Sequence, residues 1–262
     1  AEDNLKRLDR LLWEGRNWPA RRMIWKVKSG QRAVAEARLM LRHRLGNVDK
    51  AIARIAPELQ NDPGLVYERL RWRRSKGHYE SAVELLSPAP DNLVRADLWW
   101  KERAYLARLA LQKGHISDAY RIVADNRLDQ GANFADAEWM AGWISLRFLN
   151  DPKAALSHFM SLYEGVKYPV SRARGAYWAA RAAEALDDQE TAEEWYRTAA
   201  ALPTAYYGQL AASRLGPGHG LRLPQGISAQ PDEADAFARH ELHQVMELLY
   251  QVDEGDRLKP FA

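Results

Sequence analysis

GHYESAVELL (residues 77–86) and GHISDAYRIV (114–123) decide the fold. Each opens on a Gly, places an Ala five positions on, and puts an apolar residue four after that Ala. The same frame recurs at Gly15/Ala20/Ile24, Gly46/Ala51/Ile55, Asn150/Ala155/Phe159 and Asp187/Ala192/Tyr196. The six Ala positions are spaced 31, 31, 37, 36 and 37 residues apart, bracketing the roughly 34 residues of a tetratricopeptide unit. Gly, Asn and Asp are the residues that best tolerate the left-handed backbone ending a helix. An Ala with an apolar residue four later occupies one helix face, and the small side chain lets a neighbouring helix approach. The pattern predicts six helix-turn-helix pairs stacked as an all-α, tetratricopeptide-like solenoid superhelix.

Local signals agree. Pro152 behind Asp151 reads as a first-turn proline behind a cap. Residues 169–186 set Ala173, Ala176, Ala180 and Ala183 on one stripe, with Tyr177 and Trp178 beside it. Ser87–Asp91 (SPAPD) reads as a loop between repeats. The period stops near residue 202. A further helix is expected over Thr204–Leu215, then a Gly/Pro-rich linker over 216–231 and one amphipathic helix over 232–253. The expected organisation is therefore a superhelical repeat domain over 1–202 and a linker-type helical segment over 203–262.

Composition narrows the functional classes. Cysteine is absent from the 262 residues, which excludes disulfides, thiol nucleophiles and cysteine metal sites. No apolar run approaches the roughly 20 residues of a membrane span. Residues 1–130 carry 26 Lys+Arg against 17 Asp+Glu, a net of +9, whereas residues 131–262 carry 12 against 18, a net of −6. Arg outnumbers Lys 28 to 10, and its planar fork suits bidentate recognition of carboxylates and phosphates. A basic first half admits an anionic partner; a solvated, ion-paired helical surface is the plainer reading.

Motifs for chemistry are few. Neither a phosphate-binding Gly-rich loop nor a nucleophile elbow is present. His240 and His243 stand three apart rather than the four of a helical zinc pair, so no metal site is expected. Glu80-Ser81 has the form of a glutamate-serine catalytic pair, but a general acid needs a desolvated cleft to raise its pKa, and a solenoid exposes polar residues at this position. The aromatic residues are abundant, with 10 Trp and 11 Tyr. Arg71, Trp72, Arg73 and Arg74, together with Trp99, Trp100, Arg172, Arg174, Tyr206 and Tyr207, mix guanidinium with ring surface. Such a mixture can hold a sugar chain bearing carboxylates; it equally suits Arg stacked on aromatic rings for packing. No nucleic-acid motif accompanies it.

RLDRLLWEG (7–15), DPGLVYERLRWRR (62–74), AEWMAGWISLRFL (137–149), YPVSRARGAYWAARAAEAL (168–186) and TAYYGQLA (204–211) follow in this order. Together they closely resemble the superhelical, non-catalytic region of soluble lytic murein transglycosylases, in the form seen in alphaproteobacterial sequences. The likeness runs over about residues 5–253. It implies a parent enzyme exported to the periplasm by a signal peptide absent from this chain. That enzyme cleaves the N-acetylmuramic acid to N-acetylglucosamine bond of peptidoglycan to a 1,6-anhydromuramoyl end, with one catalytic Glu and no cofactor. The family's lysozyme-like domain, with its glutamate-serine and Gly-Leu-Met-Gln segments, has no counterpart after residue 211, so no catalytic residue carries over. The expected partners are glycan strands and the missing C-terminal catalytic domain, with neither nucleic acid nor an integral membrane segment. The alternative is a tetratricopeptide-like scaffold whose partner is a protein segment.

Overall fold

The computed structural model describes residues 2–86, 94–219 and 231–258. Each repeat is two antiparallel helices joined by a short turn: α1 (Glu2–Trp13) with α2 (Asn17–Met23), α3 (Ser29–Arg42) with α4 (Val48–Ala53), α5 (Pro63–Ser75) with α6 (Tyr79–Glu84), α7 (Ala96–Gln112) with α8 (Ile116–Ala124), α9 (Gly131–Arg147) with α10 (Pro152–Gly165), and α11 (Pro169–Glu184) with α12 (Gln189–Ala200). No strand occurs among the described residues. The first helices of successive pairs pack on one another from α3 to α11, and α10 and α12 also pack on the helix that follows each. This is the expected all-α, tetratricopeptide-like solenoid. None of the described helices is long and apolar enough to cross a membrane.

The repeat frame has a direct physical cause. Ala20, Ala82, Ala119 and Ala155 are fully buried, Ala192 is almost so, and Ala51 is partly buried. The apolar residues four positions later, Ile24, Ile55, Leu86, Val123, Phe159 and Tyr196, are all in the core. Five of the six turn residues adopt the left-handed backbone: Gly15 (φ 71°), Gly77 (77°), Gly114 (80°), Asn150 (52°) and Asp187 (59°). Gly46 does not. There the turn is longer, and Arg44 (φ 55°) and Asn47 (φ 60°) take the positive angles on either side of it.

Caps set several helix starts. Asp62, Asp151 and Asp188 each accept the backbone N–H three residues on, at 2.8, 3.0 and 3.1 Å, satisfying donors that a helix N-terminus leaves unpaired. At Asp188 the Thr191 side chain and then its backbone N–H hold the carboxyl below its usual pKa.

Two boundaries differ from the sequence expectation. The first compact unit runs over Ala1–Leu221 rather than stopping at residue 202. Helix α13 (Tyr206–Leu215) belongs to it, with Ala211, Tyr207 and Leu210 packed on Ala176, Tyr177 and Tyr196. It starts two residues later than expected because Pro203–Ala205 forms a turn. Among its described residues the second unit, Arg222–Ala262, holds two α-helices where one was expected: α14 (Pro231–Ala238) and α15 (Glu241–Gln251). The break falls at His240, whose extended backbone (ψ 132°) and ring nitrogen cap α15 at Leu242 N–H, 3.3 Å away. The SPAPD stretch lies outside the described residues, as does most of the Gly/Pro-rich linker.

Candidate functional site

Helix α5 carries the densest set of sequence candidates, and its charges are spent inside the protein. Glu68 is almost wholly buried, and it accepts from Arg42 of α3 through Nε at 2.9 Å and through Nη2. Arg42 Nη1 also donates to Asn17 Oδ1 at 3.1 Å. Arg71 reaches Glu68 at 3.5 Å and Glu102 of α7 at 3.7 Å. Arg74 donates to both oxygens of Glu102, through Nε and, at 3.3 Å, through Nη2. The result is an alternating ladder, Arg42–Glu68–Arg71–Glu102–Arg74, that stitches α3, α5 and α7 together. Arg71 lies over Tyr67 and Arg74 over Tyr105, at 5.7 and 4.8 Å from the ring centroids. Desolvation works against the Arg74 charge, yet hydrogen bonding and the Glu102 charge leave it more strongly protonated than usual. Burial pushes the Tyr67 hydroxyl up to about 12.

Arg73 turns the other way, donating to the Ser81 carbonyl and approaching Glu84 at 3.9 Å. Trp72 is packed partly into the cluster around Leu41, Val48 and Leu65. Trp99 and Trp100 must be corrected from ligand-binding candidates to core residues. Trp99 has no exposed surface and packs 5.3 Å from Tyr67, while Trp100 is 3% exposed and donates to Asp136 at 3.2 Å. Two adjacent Trp can both be buried here because α7 packs against three helices, α5, α8 and α9.

The remaining candidates are separate from this ladder. Arg172 lies over Tyr163 at 4.4 Å and donates to its hydroxyl at 2.5 Å. Arg174 lies over Trp139 at 5.4 Å and donates to the Ala135 carbonyl at 3.2 Å; its burial lowers its pKa. Tyr207 packs 5.4 Å from Tyr177, and Tyr206, edge-on to it, stands out into solvent. The ten residues thus do not converge on one site. Nine are buried or partly buried by the protein itself, and only Tyr206 is exposed.

Glu80 borders a cavity of about 410 Å³ between α6, α7 and α8, with Tyr79, Lys113, His115, Asp118 and Arg121. Its carboxyl is fully exposed and held below the usual range, first by a hydrogen bond from its own backbone amide and then by Lys113, 3.4 Å away. It is therefore ionised at neutral pH, opposite to what a general acid needs. His243 meets Phe237 edge-on, with ring centroids 4.8 Å apart. Among the described residues no group of three His, Asp or Glu is arranged to hold a metal.

A run of cations without carboxylate partners lies elsewhere. Arg16, Arg21, Arg22, Lys26, Lys28 and Arg32 form no ion pair among the described residues, and Trp18 and Trp25 between them are 74% and 70% exposed. A sequence signal existed: no Asp or Glu occurs between Glu14 and Glu36.

No family model matches the chain, and no curated protein does. A solved structure described as "Functional Characterization of Pseudomonas Aeruginosa pilF" is similar to it, at a TM-score of 0.43 and 14% identity, covering 82% of this chain and 95% of that one. A likeness at that level carries no argument about binding or activity. The helical repeat stands on this chain's own turns, buried alanines and helix pairing.

Proposed function

We propose that the chain is the helical scaffold module of a periplasmic peptidoglycan lytic transglycosylase, holding the catalytic domain in place and guiding glycan strands toward it. The observation that supports this most is where the most specific resembling stretches fall. YPVSRARGAYWAARAAEAL forms α11 and TAYYGQLA runs into α13, and these helices meet through Ala176, Tyr177 and Ala180 against Tyr207, Leu210 and Ala211, while Gly175 lets α11 close on α10 and Gly208 lets α13 close on the end of α12. A join with so little clearance suits a module whose task is to fix position. The parent enzyme, not this chain, would cleave the N-acetylmuramic acid to N-acetylglucosamine bond to a 1,6-anhydromuramoyl end. The positive first half would draw the carboxylates of stem peptides by long-range attraction, since Arg71 and Arg74 are engaged within the fold.

A second reading, a scaffold for a protein segment without any role in cell-wall turnover, is favoured by one feature. The cavity of about 410 Å³ between α6, α7 and α8 mixes apolar walls (Val83, Leu106, Leu109) with charges of both signs, a lining suited to a peptide side chain.

Co-sedimentation of the purified chain with murein sacculi over a salt series, with the soluble products read by mass spectrometry, tests the first reading. The expected result is binding that weakens as salt rises, without release of anhydromuropeptides. Release that Glu80→Gln abolishes would overturn the scaffold assignment, and absence of binding at low salt would overturn glycan guidance.

A further inference from the structure

The segment from Arg16 to Arg32 is built unlike the rest of the solenoid surface. Helix α2 continues into a 3-10 turn at Ile24–Lys26, and its residues divide cleanly by face. Ala20, Met23 and Ile24 are buried against Leu8, Leu12, Ala35 and Leu39. Trp18, Arg21, Arg22 and Trp25, at intervals of three, one and three, are exposed on the opposite face, the spacing that places side chains beside one another on a helix. Lys26 and Lys28 extend the exposed basic surface, and Arg32 of α3 lies over the Trp25 ring at 4.7 Å.

Three features require an explanation. An exposed indole forgoes the burial that the other Trp residues of this chain obtain; Trp13, Trp99 and Trp100 are all at most 8% exposed. Two such indoles one helical repeat apart form a pair of apolar tips. Next, six cations without a carboxylate partner lie within 17 residues and repel one another, whereas Arg38, Arg42, Arg71, Arg74 and Arg103 of the following helices each meet a carboxylate. Last, neither indole lines any of the cavities described here, of about 410, 270 and 190 Å³. A polymer strand is gripped in a groove. Tips that stand outside these three cavities, ringed by cations, fit a partner that is itself soft and flat.

We propose that the Arg16–Arg32 segment is a peripheral docking surface for a lipid bilayer bearing anionic headgroups. Trp18 and Trp25 enter the headgroup layer, where an indole's apolar body and N–H are both satisfied. Arg21, Arg22, Lys26 and Lys28 meet the phosphates, each adding about 1 kcal/mol near a negatively charged surface. Arg32 over Trp25 carries a cation into the interface against a ring face. With only two apolar tips and a handful of charges, the attachment is reversible and depends on ionic strength. The inference does not rest on the cell-wall reading, because it uses only this segment's exposure and charge.

Vesicle flotation with the full 262-residue chain tests it. The chain is expected to float with vesicles of phosphatidylcholine containing about 30% phosphatidylglycerol, not with phosphatidylcholine alone, and to be released at high salt. Arg21→Glu with Arg22→Glu should weaken binding by at least about a hundredfold, and Trp18→Ser with Trp25→Ser by about tenfold. Both variants should keep the wild-type melting curve, since the four side chains are exposed and make no ion pair. Arg147→Glu, exposed in the second half, should leave binding unchanged. No flotation at low salt, equal flotation with neutral vesicles, or equal binding by the variants would each overturn the proposal. So would a chain that ignores vesicles but sediments with murein sacculi through these same residues, which would give the surface to a glycan. Loss of sacculus binding with vesicle binding intact would instead break the cell-wall reading alone.

Discussion

The two ends of the solenoid are joined by different chemistry. In the first four helix pairs, arginines cross the joins. Arg38 is 2% exposed, donates to Asp9 at 2.6 Å, lies over Trp13 at 5.0 Å and packs on the Gly64 backbone. Arg42, Arg71 and Arg74 build the ladder with Glu68 and Glu102, and fully buried Arg103 donates to the Ile122 carbonyl at 2.9 Å. From α9 onward charge still crosses some joins, through Arg174 to the Ala135 carbonyl and His158 to Glu138, but the closest approaches are made by what is missing from the side chain. A Cβ on Gly142 would come within 2.7 Å of the Phe159 ring, and one on Gly175 within 3.0 Å of the Tyr163 backbone nitrogen. Ala173, Ala176, Ala179, Ala180, Ala182 and Ala183 have no exposed surface. One repeat frame can therefore close its joins by charge or by close approach. The first way costs desolvation and is selective for its partner; the second tolerates no added atoms.

The comparison breaks most sharply at Glu68. Removing one member of a buried, hydrogen-bonded charge set strands the others, at a typical cost of about 3–5 kcal/mol. Glu68→Ala should lower unfolding stability in urea by about 4 kcal/mol. Arg71→Ala, whose side chain is 41% exposed, should cost about 1 kcal/mol or less. Equal losses would mean that apolar packing around Tyr67 and Leu70, not the ladder, holds the first region.

Close approach is tested at Gly208, where a Cβ would overlap the Leu202 carbonyl oxygen and crowd that of Ala199. Both obstacles are backbone, so the helix itself must shift, and Gly208→Ala should cost about 3 kcal/mol. The measurement gains a reference from Gly114→Ala. At Gly114 nothing stands in the way of a Cβ, and only the left-handed backbone (φ 80°) opposes it, an expense of about 1 kcal/mol. If thermal melting ranks these two the other way, the second region is looser than its glycines suggest.

Much of this fold was legible because a repeat writes itself locally. Turn residue, small residue and apolar residue lie within ten positions, and the structure places nearly all of them as that spacing requires. Gly46 was misread because a longer turn can spread its left-handed angles over flanking Arg44 and Asn47. The break between α14 and α15 escaped because His240 interrupts the backbone without a Gly or Pro to mark it. The candidate site was less legible for a related reason. An Arg beside a Trp looks alike whether it meets a ligand or a neighbouring helix, and the partners that decide lie far along the chain. Arg74 and Glu102 are 28 residues apart, and Trp100 and Asp136 are 36. The acid-free run between Glu14 and Glu36 was visible throughout, but its meaning depended on knowing that its cations have no such distant partners.

The finest distinction between the two joining chemistries is their response to pH. Alanines and glycines do not titrate, whereas the Arg38 join does, through Asp62. Desolvation raises the Asp62 carboxyl above its ordinary pKa, although Arg38 at 4.0 Å and the backbone N–H groups of Leu65 and Gly64 oppose this; nearby Asp9 adds to it. Between the ordinary carboxylate range and the raised folded value, the folded chain binds more protons than the unfolded one. Stability from this group therefore falls as pH rises through that window and is constant above it. Asp62→Asn keeps an oxygen for the Leu65 N–H while removing the charge. The stability of the wild type relative to Asp62→Asn should thus increase as pH is lowered from neutrality toward the ordinary aspartate range. A difference that stays flat would show that the first region's joins carry their charges without strain. A difference of the opposite slope would show that Arg38 stabilises the ionised carboxylate more than burial penalises it.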